Sequence, residues 1–167
     1  LIALTIELMR EFGFKQGDFV IRLSDRGYWQ NFANSKGLND EQAEALLSII
    51  DKLERDKDGA CGPKLEKLGL SLEEVREAID SPSALSQDLQ VVLHNLEARG
   101  MRDDVAVDLS IVRGLAYYTG IVFEIFDAQK KKRAVAGGGR YDTLVAALSE
   151  VQVDLHAVGF AIGYVLS

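Results

Sequence analysis

The 167-residue chain carries a single cysteine, Cys61, and only two histidines, His94 and His156. One thiol excludes a disulfide framework and any cysteine-based metal site, and it suits a reducing compartment. The histidines have neither serine–acid neighbours nor the spacing of metal ligands, so no resident metal is expected. Basic charge is short as well. Lys+Arg number 19 against 26 Asp+Glu, and the net −7 argues against a chain-wide electrostatic grip on nucleic acid. A local basic face stays open. No apolar run approaches the roughly 20 residues that would cross a bilayer, and no basic, apolar-cored leader opens the sequence. The expectation is a cytoplasmic protein with no membrane partner. A chain of this length buries roughly 70% of its unfolded surface, which suits one domain, or one domain carrying a small insertion. It opens on Leu1, already in helical register, and closes on a strand-like run, so both ends read as cuts through a longer protein.

Residues 1–12 place Leu1, Leu4, Thr5, Leu8, Met9 and Phe12 on one face of an amphipathic helix, with Gly13 as its stop. Phe19 to Leu23 reads as a strand. Asn39-Asp-Glu-Gln42 and Ser71-Leu-Glu-Glu74 have the form of capping boxes. Apolar stripes follow each, and a third stripe, Leu85, Leu89, Val92 and Leu96, ends at Gly100. Residues 38–100 are therefore helical and charged, broken at 56–63. Val105, Val107 and Leu109 alternate as a half-buried strand. Two β-rich runs, 121–127 and 133–136, flank a hairpin turn at 128–132. Gly137 to Gly139 is read as breaking the second run, 141–148 as a short helix and 157–163 as a last strand. Strands joined mainly by hairpins, with helices set apart, predict an α+β fold on an antiparallel sheet, the helical block being inserted between two of its strands.

Three segments stand out chemically. In Asp108 to Gly120, Arg113 and the pair Tyr117–Tyr118 sit in a glycine-punctuated loop. Arginine offers a planar, permanently charged fork for phosphate or carboxylate oxygens, and tyrosine hydroxyls can orient a small polar ligand. A packed loop whose arginine pairs with a carboxylate is an equally open reading. Gly137, Gly138 and Gly139 let backbone approach a ligand or a strand, but no Lys-Ser/Thr follows, so this is not a P-loop. Gly159 and Gly163 bracket a strand against which a flat ring could lie, or which packs closely on a neighbour. Lys130-Lys-Lys-Arg133 is a solvated turn or a phosphate contact. Glu124 shares a strand face with Val122 and Phe126 and is a candidate buried acid.

Val112-Arg-Gly-Leu-Ala-Tyr-Tyr-Thr-Gly-Ile-Val-Phe-Glu124, Gly138-Gly-Arg-Tyr-Asp142 and Ala157-Val-Gly-Phe-Ala-Ile-Gly163 together resemble the histidyl-tRNA synthetases. The resemblance extends back through Ile50 to Glu54 and Phe19 to Arg26. It implies a partial class II catalytic core, residues 1–37 and 101–167, with a helical insertion domain at 38–100 near the tRNA acceptor stem. The implied reaction is ATP-dependent activation of L-histidine to the adenylate, then transfer to tRNA(His), with ATP and Mg2+ as the substrate complex. No tightly bound cofactor is implied, and the full-length family is homodimeric. Arg113 would contact the α-phosphate and the histidine carboxylate. Tyr117 and Tyr118 would line the histidine pocket, Tyr118 reaching the imidazole, and Tyr141 would close it. Gly137 to Gly139, Gly159 and Gly163 would shape the pocket walls and the ATP side.

Two departures bear on activity. Ala116 stands where the family usually has Asp, and no arginine follows Gly163 where the third class II motif normally supplies one for ATP. With the dimer-forming and second motifs and the anticodon-binding domain outside these residues, the chain alone is expected not to aminoacylate. The runner-up is a non-catalytic paralogue such as the regulatory subunit of ATP phosphoribosyltransferase. Arg113 and the helical block favour the enzyme.

Overall fold

The computed structural model describes residues 1–82, 85–113, 117–128, 134–150 and 153–163. Helix α1 (Ile2–Glu11) leads into strand β1 (Phe19–Asp25). Four longer helices, α2 (Arg26–Ser35), α3 (Asp40–Leu53), α5 (Leu72–Asp80) and α6 (Gln87–Ala98), follow with the short α4 (Cys61–Glu66) among them. Strands β2 (Val105–Val107), β3 (Ile121–Asp127) and β4 (Ala134–Tyr141), helix α7 (Leu144–Leu148) and strand β5 (Ala157–Ile162) complete the order. Among the described residues the strands form one sheet in the order β2-β1-β3-β4-β5.

The α+β class holds, but the sheet is not wholly antiparallel: β1 and β2 pair in parallel, Ile21 opposite Val105. A parallel neighbour requires a crossover connection, and here the entire helical block is that crossover. The remaining pairs, β1–β3, β3–β4 and β4–β5, are antiparallel. Strand β2 is also shorter than the alternation implies. Leu109 leaves the sheet and is buried with the helices.

Strand periodicity divides the sheet into two faces. Phe19, Ile21 and Leu23 of β1 join Phe123 and Ile125 of β3 in a core closed by α1 and α6. In α1 the buried positions are Ile2, Thr5, Ile6 and Met9, whereas Leu4 and Phe12 are 61% and 62% exposed. The expected stripe is thus rotated. The helix is apolar on nearly every side, so its periodicity does not choose a face; contact with the sheet does. Thr5 is tolerated inside because its hydroxyl donates to the Leu1 carbonyl at 3.0 Å.

A second core gathers α2 to α5 around Trp29, Leu46, Ile50, Leu65 and Val75. Helix α2 is not announced by the sequence pattern. Its N-cap, Asp25, accepts from the Gly27 N–H at 2.8 Å. Its buried Trp29 donates from Nε1 to the Leu109 carbonyl at 2.8 Å. Both capping boxes form as expected, Asn39 with Gln42 and Ser71 with Glu74. The break at 56–63 contains the start of α4, where the Asp56 carboxylate accepts from the N–H groups of Ala60 and Cys61 at 3.0 and 2.8 Å. The segment 38–100 is therefore divided in its packing: α3 to α5 share a core with α2, while Leu89 and Leu96 of α6 pack under the sheet with α1.

Two expectations in the C-terminal part are corrected. Gly137 to Gly139 do not break a strand; β4 runs straight through them. Tyr141 ends β4 rather than opening a helix, and α7 starts only at Leu144. The basic run 130–133 lies outside the described residues.

Asn39→Ala should lower stability by about 1 kcal/mol through loss of the α3 cap, read as a shifted urea midpoint with an unchanged slope. Glu74 accepts from Lys36 Nζ and from the Ser71 N–H, both at 2.8 Å, and these hold its pKa down to about 2 from an ordinary 4.5. A depressed carboxyl contributes stability that is complete above pH 4.5 and is lost as pH falls toward 2. Lys36→Met should move the Glu74 midpoint, followed by NMR, back toward 4.5 and flatten this acid loss.

Candidate functional site

The sheet face opposite α1 and α6 carries Arg22 and Ser24 of β1, Val122, Glu124 and Phe126 of β3, Gly137 and Gly139 of β4, and Gly159 of β5. Register pairs them across the strands: Arg22 with Glu124, Glu124 with Gly137, and Gly139 with both Val122 and Gly159. The glycines make this face a bed for larger side chains. A Cβ on Gly137 would run into the Arg113 guanidinium, and one on Gly139 would lie 2.8 Å from two ring carbons of Tyr118. One on Gly159 would meet the Tyr141 hydroxyl. Gly138 points to the other face, where a Cβ would come within 2.6 Å of the Phe160 Cβ. Gly163 differs from these. Its Cβ would make only an ordinary 3.6 Å contact with the Val135 carbonyl, and its N–H extends the strand pairing at 2.8 Å. Thus Arg113, Tyr118 and Tyr141 converge on Gly137, Gly139 and Gly159, with Gly138 behind them and Gly163 at the strand's end.

Arg113 is the one non-glycine residue with positive φ (+44°) among the described residues. That conformation costs an L-residue roughly 1–2 kcal/mol, so the surroundings must impose it. Arg26, buried at the start of α2, donates from Nη1 to the carbonyls of Val112 and Arg113 at 3.3 and 3.4 Å. Its Nη2 forks onto the Glu44 carboxylate of α3 at 2.9 and 3.1 Å. The Arg113 side chain donates from Nη1 to Glu124 Oε1 at 3.1 Å, and its Cζ lies 5.6 Å from the Tyr118 ring centre. Its Nε is buried with no hydrogen-bond partner. An unsatisfied buried donor costs about 1–3 kcal/mol.

Three tyrosines extend the site. The Tyr117 and Tyr118 rings are 4.5 Å apart, and Tyr141 meets them edge-on at 5.8 and 6.3 Å. Burial, then the hydrogen bond with Tyr117, pushes the Tyr118 phenol up, so it stays protonated at neutral pH and can both donate and accept. The loop carrying the pair is latched to the end of β4. The Thr119 N–H donates to the Arg140 carbonyl at 3.0 Å, its hydroxyl donates to Asp142 at 3.0 Å, and the Asp142 N–H returns to that hydroxyl at 3.1 Å. Arg140 Nε in turn donates to the Asp142 carboxylate at 2.8 Å.

On the other side of Arg113 a cavity of about 440 Å³ opens between this face and α3, lined by Asp51, Glu54, Arg55, Ser110, Arg113 and Glu124 among others. Burial pushes the Glu124 carboxyl up; Arg113 opposes this, and Asp51 adds to it. A cavity of similar volume on the opposite face, between α1, α6 and β4, is walled mainly by apolar side chains, with Arg99 and Arg140 at its edge, and is not lined by Arg113, Glu124 or the tyrosines. His94 is exposed on α6, and His156 lies beside Asp142 at the surface, 3.1 Å away, so neither enters the site. Among the described residues no His, Cys, Asp and Glu group could hold a metal ion. Ala116 and residues 164–167 lie outside the described residues.

Chemically the arrangement offers a fixed cation and three phenol hydroxyls, seated on a glycine backbone that lets them approach the sheet closely. Arg26, Glu44 and the Thr119–Asp142 latch are not legible in the sequence, since each acts through a long-range partner that no local spacing announces. Gly139→Ala should displace Tyr118 and destabilise by about 1–3 kcal/mol, whereas Gly163→Ala should stay within about 0.5 kcal/mol; urea melts of both variants check this. A raised carboxyl pKa means stability falls as pH rises above the ordinary 4.5 until the folded-state value is passed. Glu124→Gln should therefore gain stability relative to the native chain over that window, measured by melts at stepped pH.

Comparison with known proteins fits this geometry. The family model described as histidyl-tRNA synthetase matches residues 1–164. The histidine–tRNA ligase of Opitutus terrae is 40% identical over 98% of this chain and 42% of its own length. The chloroplastic/mitochondrial histidine–tRNA ligase of Arabidopsis thaliana is 30% identical over 98% of this chain and 36% of its own. The chain thus spans less than half the length of these relatives. A crystal structure of histidyl-tRNA synthetase from Nostoc superposes with a TM-score of 0.68 at 26% identity, covering 89% of this chain and 41% of that one. A Bacillus halodurans protein described as an ATP phosphoribosyltransferase regulatory subunit/histidyl-tRNA synthetase gives 0.75 at 20% identity, covering 97% and 46%, a likeness of fold. With the family model running through every motif that builds the site, the chain belongs to the histidyl-tRNA synthetase family.

Proposed function

We propose that this chain supplies the histidine-activating face of a histidine–tRNA ligase. The observation that carries the reading is Arg113, held over Gly137 with a buried, unpartnered Nε and with Tyr117, Tyr118 and Tyr141 beside it. In the proposed reaction a histidine carboxylate oxygen attacks the α-phosphorus of ATP and pyrophosphate leaves. Arg113 faces the charge that builds on those oxygens. Tyr118, kept protonated, hydrogen-bonds the imidazole, Tyr117 lines the pocket and Tyr141 closes it. Gly137, Gly139 and Gly159 let Arg113, Tyr118 and Tyr141 lie close against the sheet, and so set the depth of the pocket these side chains line. Mg2+ enters with ATP as part of the substrate. A terminal ribose hydroxyl of tRNA(His) then attacks the histidyl carbonyl of the adenylate, forming the ester as AMP leaves.

The helical segment 38–100 is proposed as an insertion domain that approaches the acceptor stem. Its α3 also carries Glu44, which holds Arg26 against the backbone of Val112 and Arg113. The intact protein is proposed to act in the cytoplasm as a homodimer. As this chain spans under half of its relatives, the 167 residues alone are expected to transfer no histidine to tRNA. The second reading, a regulatory paralogue of ATP phosphoribosyltransferase, is favoured by Ala116 in place of the family's usual Asp.

Histidine-dependent ATP–pyrophosphate exchange by the full natural protein separates the two. Exchange is expected, and Arg113→Ala should reduce it by about 10²–10³-fold. Histidine binding without exchange would instead support the regulatory reading.

A further inference from the structure

Glu124 is an odd residue for its place. It sits in the middle of β3 between Val122 and Phe126, both buried, and an apolar side chain there would bury without penalty. The groups facing it are Arg113 from the loop, Asp51 and Arg55 from α3, and Arg22 from the neighbouring strand. Arg22 is engaged by Asp108 at 3.2 Å and Arg55 by Asp51 at 3.3 Å. The direct partner of Glu124 is Arg113 Nη1, at 3.1 Å. A half-buried ion pair of this kind adds little stability over an apolar pair. Its effect is geometric. Arg26 holds the Arg113 backbone, but the guanidinium sits at the end of a long flexible stem. The space above Gly137 accommodates it, with the Tyr118 ring centre 5.6 Å from its Cζ. The bond from Nη1 to Glu124 sets the plane of the fork, and with it the orientation of the remaining N–H groups.

We infer that Glu124 is the positioning residue of Arg113: its carboxylate, delivered by β3 at the register position of Gly137, fixes the guanidinium over the β4 backbone in the orientation that meets the oxygens of the bound substrate. This rests on the proposed role of Arg113, and it assigns no substrate contact to Glu124 itself.

The test compares Glu124→Gln, which keeps the reach and an acceptor but loses the charge, with Glu124→Asp, which keeps the charge but withdraws the acceptor by one methylene. Both are made in the full natural protein and followed by pyrophosphate exchange and crystal structures. Misplacing a reacting group by about 1 Å can cost about 100-fold in rate. Glu124→Asp is expected to lose roughly 10- to 100-fold in kcat, with KM for histidine and ATP changed less than about threefold. Its guanidinium should be displaced from above Gly137, while Glu124→Gln keeps the guanidinium in place and loses less activity. A larger loss in Glu124→Gln than in Glu124→Asp, or an unmoved guanidinium in Glu124→Asp, would overturn the inference. If the native protein shows no exchange, the synthetase reading fails, and the two crystal structures still decide whether Glu124 positions Arg113.

Discussion

The site depends on how closely side chains approach the backbone of β4. Arg113 and Tyr118 lie where the Cβ atoms of residues 137 and 139 would otherwise be, and Tyr141 lies where that of residue 159 would be. Glycine in a strand normally weakens it. Here the weakness is offset by full pairing on both sides, to β3 and to β5, so the strand survives three consecutive glycines. The resulting surface lets one cation and the phenols lie directly on peptide groups.

The same constraint explains why the loop after β2 is so firmly tied. A side chain resting on bare backbone has few contacts of its own to hold it. Each end of the loop is therefore anchored from outside: Arg26 on the carbonyls at 112 and 113, Asp142 on Thr119, and Trp29 on the Leu109 carbonyl. Two of these anchors, Arg26 and Trp29, belong to α2, and Arg26 leans on Glu44 of α3. The helical core is thus both the crossover that brings β2 beside β1 and the support of the site's strained residue. Helix α6, though it ends that crossover, packs with α1 under the sheet and forms the opposite wall.

The electrostatics follow from this layout. The cavity between α3 and the sheet collects Asp51, Glu54, Arg55, Arg113 and Glu124, so charges of both signs face one another in a partly desolvated space. Opposite charges at these distances compensate only part of the desolvation, which is why the Glu124 carboxyl is pushed up despite its arginine partner. A net charge of −7 over the chain is therefore compatible with a site that presents a cation to an anionic ligand.

Local chemistry is legible in the order of residues alone. Capping boxes announce α3 and α5 because a side-chain oxygen three residues from its partner N–H is a short-range arrangement. The loop with Arg113, Tyr117 and Tyr118, the glycine run and the last strand stand out by residue type and, taken together, by their likeness to one family. What cannot be read is whatever requires two distant segments to meet. The buried face of α1 is chosen by the sheet, from a helix apolar on most sides. The glycine run reads as a break because the side chains that fill its space come from other segments, and a strand's own sequence does not contain its neighbours. The parallel pairing of β1 and β2 and the side of the sheet on which Glu124 meets Arg113 are likewise properties of register. Residue order encodes such contacts only through the folded chain as a whole, since no local period distinguishes one face or one partner from another.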